Sequence, residues 1–172
     1  MIIYVANKIE RFVPLVTQMT EVGDPEVEAI WLKISIGTLV FIIGGIYRPP
    51  SADHRIQHVD TRLLQMIDTV YQLDIPTLVF GDFNLPTMAW EELGATPKTE
   101  TDHEYINLFA KLNLTQVVLK PTRYRDNQTP SISDLILTNY KDIITPIQFR
   151  PPIGKSDHLA LTTELQANLI PP

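Results

Sequence analysis

The chain has 172 residues, 44% of them hydrophobic and 20% charged, a balance that points to a packed globular domain and excludes a disordered tract. It contains no cysteine, which excludes disulfides, thiolate zinc sites and a cysteine nucleophile, and an intracellular setting is expected. A net charge of −6 excludes a generic basic nucleic-acid binder, but not phosphodiester chemistry, whose sites gather carboxylates around a cation.

The first predicted element is a short strand, Ile2-Ile3-Tyr4-Val5. The apolar stretch before Asn7-Lys8 is too brief for a signal peptide. Glu26 to Ile36 alternates as a strand does, with Val27, Ala29, Trp31 and Lys33 on one face and Glu28, Ile30, Leu32 and Ile34 on the other. Gly37-Thr38 reads as a turn into a second, mostly buried strand from Leu39 to Tyr47, which makes a hairpin. The apolar core of that strand contains Gly44-Gly45 and is too short to cross a membrane, so no membrane partner is expected.

Arg48-Pro49-Pro50 ends the strand, and Ser51 or Asp53 is placed to cap a helix. Ile56, Val59, Leu63, Met66, Ile67 and Val70 form its amphipathic stripe. A buried strand follows at 76–81. Thr101-Asp102-His103-Glu104 fits a capping box that opens a second helix, with Tyr105, Leu108, Phe109 and Leu112 inward. Val117 to Leu119, Leu135 to Thr138, Ile143 to Phe149 and Leu159 to Leu165 are further strand candidates. Hairpins mixed with two helices predict an α+β fold, two sheets covered by helices.

Polar residues recur where apolar strands end. They stand at Tyr47-Arg48, at Asp82-Phe83-Asn84 and at Asn139, while Asp134 and Ser156-Asp157-His158 open two strands. Asp82 and Asn84 are two apart, so a persisting strand would point both to one face. If the ends converge, they assemble carboxylates, an amide, a phenol, a hydroxyl and an imidazole. That set suits metal-assisted hydrolysis of a phosphate ester, with magnesium taking one or two carboxylates plus substrate phosphate. Imidazole can give or take a proton at neutral pH, which makes His158 the candidate acid or base, and Asp134 could fix its tautomer. Arg123 and Arg125 flank Tyr124 as either a phosphate clamp or an ordinary loop. His54 and His58 lie one helical turn apart with no third ligand nearby, as in a solvated first turn. Trp31 and Trp90 read as packing residues.

Six segments in order resemble one family: GGIYRPPS at 44–51, VFGDFNLP at 79–86 with Trp90, LTQVV at 114–118, PTR at 121–123, SDLILTN at 133–139 and PPIGKSDHLAL at 151–161. It is the endonuclease domain of LINE-type (non-LTR) retrotransposons, in the endonuclease/exonuclease/phosphatase superfamily. The resemblance implies a four-layered α/β sandwich over residues 1–166, with a tail at 167–172, and Mg2+-dependent nicking of DNA, Mn2+ being the alternative cofactor. It implies that Tyr47 contacts the phosphate, Asp82 orients the attacking water, Asn84 holds the phosphate and Asp134 pairs with His158. Asp157 would help bind the metal, and Ser156 and Arg123 the substrate. The base is shared between Asp82 and His158 in this reading. The partners implied are DNA and a reverse transcriptase domain, with nuclear residence following from that role.

Two departures from the family pattern stand out. Ser133 takes a usually apolar position before Asp134. The chain also opens at MIIYVANK, which resembles a later strand of the family, so that Glu10, Glu21, Glu26 and Glu28 all follow the point where the metal Glu is expected. The sequence therefore predicts a domain lacking its first strands and weakened in activity. A catalytically inactive remnant or binding module is the alternative, and a phosphatase of the same superfamily the second alternative.

Overall fold

The structure is a computed structural model that describes residues 11–14, 27–36, 38–91 and 94–166. The strand expected at Ile2–Val5 and the tail at 167–172 lie outside these. The centre is a six-stranded mixed sheet ordered β1-β2-β3-β4-β8-β7. Its strands are β1 (Arg11–Pro14), β2 (Glu28–Ile36), β3 (Leu39–Tyr47), β4 (Thr77–Asp82), β7 (Thr115–Gln116) and β8 (Asp134–Thr138). Two-stranded sheets add β5 (Ala89–Glu91) with β6 (Gly94–Thr96), and β9 (Gln148–Arg150) with β10 (Ala160–Thr162). The helices are α1 (Ile56–Tyr71) and α2 (Glu100–Lys111). The α+β class holds, with a core mixed sheet.

β2 and β3 form the predicted hairpin, in a register that sets Trp31 opposite Gly44. A Cβ on Gly44 would stand 2.3 Å from the indole, so only glycine lets that ring lie across β3. β3 and β4 run parallel, and α1 makes the crossover that a parallel pair requires. Both sheet faces are covered. Val27, Trp31, Ile42, Ile46, Val79, Leu135 and Leu137 pack against Val59, Leu63, Met66, Ile67 and Val70 of α1 and Tyr105 and Phe109 of α2. On the opposite face Leu78 and Ile136 meet Val118, with Phe149 and Leu161 of the β9–β10 sheet against them. Among the described residues no helix is long and apolar enough to cross a membrane.

Several local expectations shift. The residue capping α1 is Arg55, whose side chain makes no cap bond; Asp53 instead accepts from the Arg55 backbone N–H at 2.8 Å. The capping box of α2 starts two residues earlier than Thr101. Thr99 Oγ1 accepts from Asp102 N–H, and the Asp102 carboxylate accepts from the backbone N–H groups of Thr99 and Lys98. Burial works to raise the pKa of Asp102, but these donors and the Thr87 hydroxyl outweigh it and hold the group below its ordinary value. Thr99→Ala is expected to cost about 1 kcal/mol, read as a lowered thermal midpoint.

The strand expected at Val117–Leu119 is displaced to Thr115–Gln116, because the Gln116 side-chain amide bonds both backbone polar groups of Val118 and withholds them from the ladder. Ile143–Phe149 is not one strand. Lys141–Ile143 is a 3-10 turn, Ile144 makes an isolated bridge to Leu165, and only Gln148–Arg150 pairs with β10, which is itself shorter than Leu159–Leu165.

Candidate active site

Register brings the strand ends together. The last pair of the parallel β3–β4 ladder is Tyr47 with Asp82, and the last pair of the antiparallel β4–β8 ladder is Asp82 with Asp134. Three neighbouring strands thus deliver Tyr47, Asp82 and Asp134 at one level on the sheet edge. Gly81 sits one residue inside, where a Cβ would stand 1.8 Å from the Ile46 carbonyl oxygen.

Asn84 reaches the site by a turn and not by strand alternation. β4 stops at Asp82, and Asn84 has φ +43°, a left-handed conformation that asparagine tolerates. Its N–H donates to Asp82 Oδ1 at 3.1 Å, and its side-chain amide donates to the Arg48 carbonyl at 2.9 Å.

His158 arrives from the loop before β10. Leu159 N–H donates to Thr122 O at 2.7 Å, and Tyr124 N–H donates to Asp157 O at 2.8 Å. Thr122 Oγ1 also accepts from the Ser133 and Asp134 backbone N–H groups at 3.2 and 3.0 Å, so one buried threonine ties β8 to the histidine loop. His158 Nδ1 lies 2.8 Å from Asp134 Oδ2. A proton on Nδ1 shared with Asp134 leaves Nε2 as the acceptor. Nε2 is 3.9 Å from Asp82 Oδ2 and 3.9 Å from Asp157 Oδ1.

Ser133, the departure from the family pattern, is buried and bonded to the site. Its hydroxyl donates to Asp82 Oδ1 at 2.6 Å and lies 3.5 Å from Asn84 Oδ1. Burial pushes the pKa of Asp82 up, with the neighbouring Asp134 charge acting in the same direction; the Ser133 bond, His158 and the Asn84 N–H restrain the rise. Asp157 behaves oppositely. Its Oδ2 accepts from Arg123 Nε at 3.0 Å and Arg125 Nε at 2.6 Å, which holds its pKa down at about 2. Ser156 is exposed, and its hydroxyl accepts from the His158 N–H at 3.0 Å. Asn84, Arg123, Ser131, Ser133 and Ser51 line a recess of about 130 Å³ beside the cluster. His54, His58 and His103 stand exposed, away from the strand-end cluster.

Among the described residues no group of three His, Asp or Glu side chains forms a ready metal cage. The oxygens available beside His158 are Asp82 Oδ2 and Asp157 Oδ1. That pair fits a hard cation that takes one or two carboxylates and completes its shell with water and phosphate, as magnesium does, and does not fit a four-ligand zinc site.

Sequence reasoning gave Thr122 and Ser133 no role in the site and missed a buried set behind the turn. In that set Arg48 pairs with Asp60 at 2.6 and 2.9 Å, and the Tyr105 hydroxyl donates to Asp60 at 2.9 Å. Burial alone would lower the pKa of Arg48, but Asp60 more than offsets it and keeps the guanidinium charged. The available signal was Asp60 itself, an acid on the apolar stripe of α1 between Val59 and Leu63.

Comparison with known proteins agrees with this geometry. The profile of a family described as endonuclease–reverse transcriptase matches residues 41–162, well over half the chain. The endonuclease domain of TRAS1, a telomere-specific non-LTR retrotransposon, shares the fold at a TM-score of 0.66 and 16% identity, over 91% of this chain and 68% of that one. A 3′–5′ exonuclease from Neisseria meningitidis follows at 0.56 and 13%, over 78% of this chain and 64% of that one. An AP endonuclease from Archaeoglobus fulgidus stands at 0.54 and 15%, with the same coverages of 78% and 64%. The chain therefore spans about two thirds of the length of these structures. No curated protein matches it. Nucleases of this superfamily generally use divalent metals. With the profile bearing out the resemblance carried by the six motifs, the chain belongs to the endonuclease–reverse transcriptase family of the endonuclease/exonuclease/phosphatase superfamily.

Proposed function

We propose that the chain carries the site of a Mg2+-dependent DNA endonuclease that nicks one strand, as in retrotransposon target-site cleavage. The observation that carries this reading is the His158 ring, held by Asp134 through Nδ1 with Nε2 facing Asp82 and Asp157. In the proposed reaction water attacks the phosphorus and the bond to O3′ breaks, leaving a 3′ hydroxyl. The Asp82–His158 pair takes the water proton, the imidazolium that forms is stabilised by Asp134, and the departing O3′ takes up a proton from solvent. Asn84, Tyr47, Ser156 and Arg123 hold the phosphodiester, with Arg123 and Asn84 reaching it through the recess they line. Magnesium, held by Asp157, would neutralise charge developing on the phosphate oxygens.

DNA is the proposed substrate. A 3′ phosphatase from Neisseria with this fold is bound to a product DNA hairpin, which supports that choice. The net charge of −6 predicts weak non-specific affinity, so positioning on DNA would come from a partner region such as a reverse transcriptase.

The test is nicking of supercoiled plasmid by the purified chain in Mg2+ and in EDTA. Nicking only in Mg2+ is expected. Turnover of a soluble phosphate ester with intact plasmid would replace the endonuclease reading with a phosphatase. A more specific result concerns Ser133. Removing its hydroxyl takes away a bond that keeps Asp82 ionised against burial, so the pKa of Asp82 rises further. Ser133→Ala is expected to move the acid limb of the pH–rate profile to higher pH, with a loss of about tenfold at the acid end and recovery in base. An acid limb that stays in place would remove Asp82 from the titrating pair.

A further inference from the structure

We propose that Arg48 is a positioning residue for this active site: paired in the interior with Asp60, it clamps the Asp82-Phe83-Asn84 turn by its backbone and sets where Asp82 and Asn84 stand. The inference rests on the nuclease reading of those two side chains; the clamp itself is read from contacts alone.

Arg48 meets the turn at several points. Its backbone N–H donates to Asp82 O at 2.8 Å, and its carbonyl accepts from the Asn84 side-chain amide at 2.9 Å. Nη1 donates to Asn84 O at 2.7 Å and lies 3.5 Å from Phe83 O. One residue therefore holds both ends of Asn84, its carbonyl and its side chain, in the left-handed conformation that asparagine tolerates.

The guanidinium is itself fixed. Asp60 of α1 takes Nε and Nη2 in a two-point fork, which sets the plane of the group. Tyr105 of α2 donates to Asp60, lies 6.0 Å from the guanidinium carbon and packs edge-on against Phe83 of the turn. Both helices thus bear on the strand end.

Positioning is separable from plain stability here. Arg48 is 2% exposed, so it does not reach a DNA phosphate, and any effect on cleavage must pass through the turn. A buried ion pair is also an inefficient stabiliser, since apolar side chains of like volume often serve as well. What they lack is the N–H donor aimed at the Asn84 and Phe83 carbonyls. Asp60 and Tyr105 then serve to aim that donor. Loss of the donor frees the turn to relax, and a displacement of about 1 Å at a reacting group costs about 100-fold in rate.

The test combines Arg48→Met, Asp60→Leu and Tyr105→Phe in one chain, which removes the fork without stranding a buried charge or hydroxyl. Arg48→Lys is read beside it; it keeps a charge on Asp60 but gives up the fork, and carries the same expectation at smaller amplitude. In folded protein, amide hydrogen exchange at Phe83 and Asn84 should accelerate by at least about tenfold while amides in the middle of α1 keep their protection. Plasmid nicking should lose about 100-fold in kcat, with KM changing by less than about threefold, because no substrate contact is removed. Unchanged exchange at both amides in the folded variants overturns the clamp. An unchanged kcat in variants of a wild-type chain that nicks overturns its role in positioning. If the wild-type chain does not nick, the nuclease reading fails separately, and the exchange rates alone decide whether Arg48 holds the turn.

Discussion

His158→Ala is expected to lower DNA nicking by about 1,000-fold while leaving the fold in place. The ring supplies the Nε2 that faces Asp82 Oδ2 and Asp157 Oδ1, and no other described histidine joins this cluster. The loop does not depend on the ring. Its ties run through backbone groups, Leu159 N–H to Thr122 O and Tyr124 N–H to Asp157 O, which alanine keeps. The thermal midpoint should therefore fall by only about 2–4 °C, the cost of one partly buried hydrogen bond. Asp134 would be left without its imidazole but still partly solvated, so its loss of partner adds little. Nicking rates measured beside circular-dichroism melting separate the outcomes: a folded variant that retains more than about a tenth of wild-type activity would take His158 out of the chemistry.

Gly81→Ala is expected to be the most damaging single substitution to the fold. Its added Cβ would stand 1.8 Å from Ile46 O and 2.7 Å from Ile46 C, both backbone atoms of the adjacent strand β3. A flexible side chain could swing aside, but the β3 backbone is held on both edges, by β2 and by β4. Relief would require breaking the parallel ladder beside Tyr47 and Asp82, so the cost falls on the site as well as on the core. The loss should exceed about 3 kcal/mol, beyond the ordinary overpacking range, and lower the thermal midpoint by at least roughly 6–12 °C or prevent folding. A soluble variant melting within about 2 °C of the wild type would show that β3 and β4 are not packed as described.

The sequence exposed the strand ends clearly and the links between them hardly at all. Tyr47, Asp82, Asp134 and His158 stood out because each interrupts or borders an apolar run, and local hydrophobic pattern reports that. Their assembly depends on register across β3, β4 and β8, which local pattern does not encode. The site roles of Ser133 and Thr122 were not legible because a buried hydroxyl looks like any small polar residue until its partner, 51 or 11 residues away, is known. The capping box was misplaced for a related reason. Thr99 with Asp102 and Thr101 with Glu104 have the same spacing, and the distant Thr87 hydroxyl together with the Lys98 backbone N–H selects Asp102. Strand alternation would have put Asn84 on the face of Asp82, yet the Asp82 carboxylate captures its N–H and turns the chain. The Arg48–Asp60–Tyr105 set draws on β3's end, α1 and α2, with separations of 12 and 45 residues, and only the acid on the apolar stripe hinted at it.

We propose that the strand ends around His158 form a working phosphodiesterase site in this chain. The most direct measurement is the rate of supercoiled-plasmid nicking by the purified, folded chain in Mg2+, in EDTA and with Asp82→Asn in Mg2+. The expected result is nicking in Mg2+ that EDTA stops and that the Asp82→Asn substitution lowers by at least about 100-fold. Folded wild-type protein that nicks no faster than Asp82→Asn would contradict it and leave the chain as a binding module built on a nuclease fold.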